Sequence, residues 1–488
     1  MNLFGRRVIK TDQAEITSEN VINVLNKALI VHLRNKAEIE YLYAYYKGRQ
    51  PILKREKQVR PEIANKIVEN RAYEIVTFMT GYLMGEPVQY VARNENSSTG
   101  VNELNDYIFA EEKASKDKEL VDWFHICGTA FRMILPDREA GLDEDESPFE
   151  IFTLDPRYTF VVYYNDGMTQ KPILGVKYVV NENGEVIYSC YTKDTYYEIM
   201  GTNSSLQNIV KEETHILGGI PIVEYPLNFA RLGAFEVVVP LLDAINLCDS
   251  NRQDGVEQFV QALLVLHNVE LDDKGFQELL AQGAIKYKDI DPQLKGEIEY
   301  LVNSLNQSET QTLVDHMYQV VLTITGMPNR NGGTSTSDTG TAVIYRDGWS
   351  AAESRAKDTE LMFKKSERQF LRIALNICNT TMKDKLGIKV SDVEIRFTRR
   401  NYENIAQKAQ VLDLMLKNPK IDPKLAFEHC GMFADPGLAY ARSLPYIKKA
   451  EAMNELDADT TDDRDDSPNP EEGKPSGDQN RAGEDSDY

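Results

Sequence analysis

Residues 239–263, VPLLDAINLCDSNRQDGVEQFVQAL, read as one long helix with a polar middle: Asp249, Ser250, Asn251, Arg252, Gln253 and Asp254 run together. Pro240 sits in its first turn, where a missing N–H costs no intrahelical bond. A helix with a polar waist is not a simple core helix; one side of it faces water. A second long helix is expected over 307–325, with Leu313, Met317, Val320 and Ile324 at steps of four, three and four. Between the two lies a short mixed segment, 264–303. Strands are expected there near LLVLHNVEL, AIKYKDI and EIEYLVN, around the helix KGFQELLAQ. The chain therefore has to accommodate two antiparallel helices closed by a small α/β segment.

The flanking regions supply the rest of an α+β, mostly helical fold. A helix is expected over 17–47, capped by Ser18 and ended by Gly48. A second amphipathic helix begins near Ala64, carries Ile67, Ala72, Ile75, Val76 and Met79, and stops at Gly81 or Gly85. Two more helices and a strand follow up to residue 135. From 150 to 225 the pattern turns to strands rich in Tyr, Val and Ile, punctuated by Asp-Gly and Asn-Gly, which predicts an antiparallel meander. At GGIPIVEYPLN, 218–228, the chain leaves that sheet.

Beyond 325, Gly326-Met327-Pro328 ends the helix. Thr334–Gly340 reads as loop, and TAVIYR as one or two helical turns broken at Asp347-Gly348. Ser350 with Glu353 predicts a capping box for a helix running to about Thr380, supported by Glu353–Lys357 and Glu360–Lys364 pairs. Residues 402–453 predict two or three further helices, and 454–488 a disordered acidic tail.

Charge and composition narrow the function. The chain has 488 residues, room for about three domains. Of its net charge of −22, half lies in residues 451–488, where fourteen acidic residues oppose three basic ones, a net of −11. That balance disfavours a nucleic-acid-gripping surface, although an acidic surface suits a task in which DNA slides past. Five scattered cysteines predict a reducing compartment. No apolar run reaches membrane-spanning length, so a protein made and kept soluble in a cytoplasm is expected. The six histidines show no metal spacing, and no metal or cofactor is expected. Asp338-Thr339-Gly340 has the triplet with which aspartic proteases present a carboxylate, but that chemistry needs a second aspartate sharing one proton, and no second triplet exists. Gly332-Gly333-Thr334 lacks the lysine of a nucleotide-binding loop. The stretch predicts a structural loop–helix junction at Thr339 and Gly340.

Three stretches, YYKGRQPI with NKIVENRAYEIVTFMTGYLMGEPVQY, GGIPIVEYPLNFARLGAFEVVVPLLDAINLCDSNRQDGVEQFVQALLVL, and MPNRNGGTSTSDTGTAVIYRDGWSAAESRAKDTELMFKKSERQF, occur in an order that resembles the portal proteins of tailed double-stranded DNA bacteriophages, the family typical of long non-contractile-tailed phages. The resemblance covers roughly residues 20–450. One departure is Thr339-Gly340 before Ala342-Val343, where the family has Ser-Gly.

The resemblance implies a homo-oligomeric ring, usually a dodecamer, with wing, stem, clip and crown domains around an axial channel. Carried over by position, 1–233 is wing, 234–263 the first stem helix, 264–303 clip and 304–326 the second stem helix. Residues 327–400 are then tunnel loop and long wing helix, and 401–453 crown. Implied partners are double-stranded DNA passing through the channel, the terminase large subunit, a head–tail adaptor, scaffold and major capsid protein, with no membrane. The implied location is the capsid vertex of the virion, reached from the host cytoplasm during assembly.

On that reading Asp249, Arg252, Asp254 and Glu257, with Asp243, are the expected channel-lining residues of the stem; the alternative for the acidic ones is ordinary solvated faces or salt bridges between subunits. The tunnel loop has its tip at Tyr345, Arg346, Asp347, Gly348 and Trp349, and Trp349 is a candidate interface anchor. Lys364, Lys365, Arg368 and Arg372 form a basic stripe, read as contact with DNA or a neighbour's carboxylates, or as a solvated face. The competing readings are a hydrolase built on Asp338, a metal-dependent nuclease, and a non-viral cytoplasmic scaffold.

Overall fold

A computed structural model describes residues 5–58, 60–137, 147–167, 170–202, 206–260, 263–267, 269–270, 288–290, 297–301, 307–329, 348–381, 385–399, 405–433 and 436–459. The architecture mixes helix and strand and divides into two compact units, residues 1–404 and 405–488.

In the first unit a six-stranded sheet has the order β1-β5-β6-β7-β8-β9. Strands β5 (Thr159–Asn165), β6 (Gln170–Val180), β7 (Glu185–Tyr191), β8 (Thr195–Thr202) and β9 (Leu206–Thr214) form the expected antiparallel meander. The sequence did not signal β1 (Ile9–Thr11), which adds at the edge in parallel, Ile9 opposite Val162. Three residues are too few to carry a periodicity. A second sheet holds β10 (Ile222–Pro226), β3 (Thr129–Pro136) and β4 (Phe149–Leu154). The chain thus leaves the meander at 218–221 only to enter another sheet. A short ladder pairs β2 (Gln89–Ala92) with β15 (Val393–Arg396).

Helix α1 (Val21–Tyr46) joins two cores. Its first turns, with Val21, Val24, Leu25 and Ala28, pack on the six-stranded sheet; its last, with Ile39, Leu42 and Tyr45, pack on other helices. Asn20 rather than Ser18 holds the cap position, its side chain turned back onto Glu15 and Thr17. Helices α2 (Arg71–Leu83), α3 (Ser98–Ala110) and α4 (Lys113–Cys127) follow. Helix α2 starts seven residues later than its apolar spacing suggests and passes through Gly81, so Ile67 lies outside it. Gly128, at φ +82°, ends α4 and turns into β3. A Cβ there would stand 2.0 Å from the Arg231 carbonyl oxygen, so only glycine fits.

Helices α5 (Val239–Val260) and α6 (Gln307–Thr325) match the two long helices expected from sequence. Between them β11 (Leu263–His267) pairs antiparallel with β14 (Glu297–Leu301), and β12 (Val269–Glu270) with β13 (Lys288–Asp289). The expected helix KGFQELLAQ lies outside the described residues. On α6 the expected apolar stripe is rotated: Val314, Val321 and Leu322 are buried, whereas Leu313 is 50% exposed.

Helix α7 (Trp349–Thr381) runs through the largest core, burying Phe363, Phe370, Leu371 and Ala374 against β10, β3 and β4. The expected capping box at its start is absent. Ser350 is already helical, and Glu353 instead accepts from Tyr82 Oη at 2.9 Å and pairs with Arg399 at 2.7 Å. The Glu353–Lys357 and Glu360–Lys364 pairs are present.

The second unit contains α8 (Ile405–Leu416), α9 (Pro423–His429) and α10 (Pro436–Asp459). Helix α10 continues past 453, into the expected tail, despite Pro445 within it.

Candidate functional site

The polar middle of α5 is organised as a stripe, not as a block. Asn246, Ser250 and Asp254 stand one above another, four residues apart, and all three are buried. Residues 65–69 run extended and antiparallel along that stripe. The backbone N–H of Glu69 donates to Asn246 Oδ1 at 2.8 Å, that of Ile67 to Ser250 Oγ at 3.0 Å, and that of Asn65 to Asp254 Oδ1 at 2.7 Å. Four residues of helix rise about 6.0 Å, and two residues of extended chain rise about 6.6 Å. A helix with one short acceptor per turn therefore serves an extended segment much as a strand edge does. This is why the chain before α2 does not become helix: its N–H groups have better partners on α5.

The strap is pinned at both ends. At one end Asp254 also pairs with Lys57 and Arg55, each at 3.0 Å, and Asn65 Nδ2 reaches Glu257 at 2.9 Å. Burial alone raises the Asp254 carboxyl, but the Asn65 N–H, Lys57, the Asn65 amide and Arg55 outweigh it and hold the carboxyl below the ordinary range. At the other end Asn70 accepts from the Tyr73 N–H, capping α2, and donates to the Tyr46 carbonyl at 2.8 Å. Gln50 joins Asn70 to Asn246. Glu69 also sits near Asp249; burial pushes its carboxyl up, Arg71 opposes this, and the Asp249 charge adds to it.

Each of the five α5 residues singled out from sequence has a partner in its own chain. Asp254 and Glu257 hold the strap, and Asp254 is turned away from solvent. Arg252 donates to Gln311 of α6 at 2.7 Å and lies 3.6 Å from Asp249. Asp243 accepts from Tyr45 Oη at 2.9 Å. The strap's acceptors Asn246 and Ser250, and its anchors Arg55, Lys57 and Asn65, were missed. The signal was the four-residue spacing of 246, 250 and 254, obscured by the denser polar run 249–254.

Of the residues expected at the tunnel-loop tip, Tyr345, Arg346 and Asp347 lie outside the described residues, as do Asp338, Thr339 and Gly340. Gly348 has φ +83° and its carbonyl accepts the Ala351 N–H, starting α7. Trp349 packs against Phe78 and Tyr82 of α2, ring centroids 6.1 and 6.2 Å away. In the basic stripe Lys364 pairs with Glu360 and lies over Phe397, so it leaves the outer face to Lys365, Arg368 and Arg372, which are exposed.

Under α7 lies a buried charge cluster that the sequence did not announce. Glu367 accepts from Tyr90 Oη at 2.5 Å, Tyr225 Oη at 2.6 Å and Arg132 at 3.4 Å, and pairs with Lys113 at 2.8 Å. Asp117 pairs with Lys113 and Arg132. Burial would raise the Glu367 carboxyl; Lys113 and Arg132 hold it down at about 2. Two cations and two anions balance, so the group is a neutral structural knot between α4, β3 and α7.

Residues 26–462 match the family described as phage portal protein, SPP1 Gp6-like. The chain belongs to that family of phage portal proteins. The family is a structural one, and neither a hydrolase built on Asp338 nor a non-viral scaffold is supported. No curated protein matches the sequence. Among solved structures the chain is similar to one described as the neck of an empty GTA particle computed with C6 symmetry, at 12% identity and a TM-score of 0.46, covering 74% of this chain and 90% of that one. Among the described residues no helix is long and apolar enough to cross a membrane.

Proposed function

We propose that this portal protein assembles as a ring, a dodecamer at one vertex of the capsid, and forms the channel through which double-stranded DNA is packaged and ejected. The observation that supports this best is the α5–α6 pair. The two helices share a core through Leu242, Ile245, Val314, Val321 and Leu322. The pair continues as the antiparallel β11–β14 ladder, Leu263 opposite Leu301. A two-helix stalk tipped by small strands has the form a stem and clip require.

In this reading 1–233 is wing, α5 and α6 are stem, 264–303 is clip, 327–400 carries the tunnel loop and long wing helix, and 401–453 is crown. With Asp254 committed to the strap, the channel-facing share of the stem falls to Asp249, Arg252 and the outer part of Glu257. Sparse, mutually paired charges let phosphate pass without the counterion release that produces tight binding. Tyr345, Arg346 and Asp347, just before α7, form the tip that approaches DNA, and Gly348 with Trp349 anchors it on α2. The terminase large subunit, head–tail adaptor, scaffold and major capsid protein are the partners of such a ring.

Negative-stain microscopy of the purified protein tests the reading. Rings with a central hole are expected. A monomer by light scattering, across salt conditions and with scaffold present, overturns it.

A further inference from the structure

Helix α2, the end of α6, the first turns of α7 and the loop 227–237 enclose a cleft of about 700 Å³. Its walls are mainly apolar, including Phe78, Tyr82, Val237, Ile324 and Met362, with His125 and Asn228 among the polar lining, and Phe229 also lines it. Phe229 is 81% and Val237 53% exposed, so the apolar lining is open in the protomer. Arg355 lies on the rim. Its guanidinium donates to the Ile324 carbonyl, and among the described residues no carboxylate pairs with it. Asp358 shares the rim, so apolar fit, not charge alone, has to select the occupant.

Phe109, near the end of α3, is the most exposed large apolar side chain among the described residues, at 85%. Asp106 and Glu112, three residues to either side, are exposed carboxylates, and no cation among the described residues pairs with them. An exposed aromatic framed by acids is costly in water and suited to an apolar pocket with a cation on its rim. Phe109 does not line its own protomer's cleft. Gly100, on the same helix, lies against the Leu386 carbonyl beyond the end of α7, whereas the cleft borders the first turns of α7. Knob and socket are thus separate surfaces of one protomer, which is the arrangement of a head-to-tail contact that closes into a ring.

We propose that the cleft receives Phe109 of a second copy of this chain, with Arg355 meeting the carboxylate of Asp106 or Glu112. The proposal rests on the ring reading and names the contact within it. The test is a chain carrying both Ala110→Cys, beside the retained Phe109, and Val237→Cys, assembled and treated with a short bis-maleimide. A ladder of covalent dimers and higher species is expected, absent from either single variant. Phe109→Ala should raise the concentration needed for assembly roughly tenfold, while Phe109→Trp assembles. Intact rings with no ladder overturn this contact and leave the ring reading standing. Absence of rings from the unsubstituted protein overturns the ring reading itself. A Val237→Cys thiol that is shielded from maleimide in the monomer assigns the cleft to the chain's own residues 330–347 and also overturns the proposal.

Discussion

Asp254 and Asn65 are 189 residues apart in the chain and are bonded twice: the Asp254 Oδ1 accepts the Asn65 backbone N–H at 2.7 Å and its side-chain amide at 3.0 Å. That contact fastens an extended segment preceding α2 to the middle of α5. It makes the orientation of α5 depend on residues near the start of the chain.

Asp254→Asn should loosen the strap. The substitution keeps one acceptor for the Asn65 N–H but leaves Arg55 and Lys57 without their anion. A loss of about 2 kcal/mol is expected, measured by urea unfolding near neutral pH. Because the folded carboxyl titrates below the ordinary value of 3.8, its contribution is present above about pH 4 and lost as pH falls through the lowered value. The gap between the two proteins should therefore narrow in acid. A gap that widens below pH 4 contradicts the assignment.

Glu367→Ala strips four donors of one acceptor in a dry core. A cost of about 3–5 kcal/mol follows, visible as a large fall in Tm or loss of soluble protein. Glu367→Gln removes the charge but keeps an acceptor, and should cost less. With the carboxyl held at about 2, the cluster's contribution from Glu367 is complete above about pH 4.5 and declines only between there and pH 2.

Gly128→Ala tests the close approach of β3's start to the loop before α5. The added methyl meets the Arg231 carbonyl, and the backbone is left-handed. A loss of about 2–3 kcal/mol is expected. A Tm within a degree of the unsubstituted protein would mean the loop yields freely.

Arg346→Ala with Asp347→Ala should leave rings intact and reduce DNA packaged per head, whereas Gly340→Val should impair assembly. Normal packaging by the double variant, with packaging blocked by changes in 332–338, moves the tip to that stretch. If neither set affects packaging, the tunnel-loop proposal fails.

Truncation after Asp459, the last residue of α10, should leave ring formation unchanged. Cutting at Leu456, inside the helix, removes part of its last turn. A loss of soluble rings on truncation after Asp459 would give the acidic tail a structural role.

Local pattern carried much of this protein. The meander 159–214, the helices α1, α5, α6 and α7, and the break at Gly326 follow from alternation, helical spacing and turn residues, because neighbours in sequence decide them. The family resemblance was legible in the same way, from the order of loose motifs along the chain. Tertiary structure decided what no local signal encodes. The NKIVE stretch has helical spacing yet is drawn out by acceptors on Asn246, Ser250 and Asp254, which lie some 180 residues away. The stripe on α6 is turned toward Val314 and Val321 by what α5 and α2 present to it. Glu353 leaves its cap for Tyr82 and Arg399. In each case a polar or apolar group on a distant segment outbid the local preference, which is worth only tenths of a kcal/mol per residue.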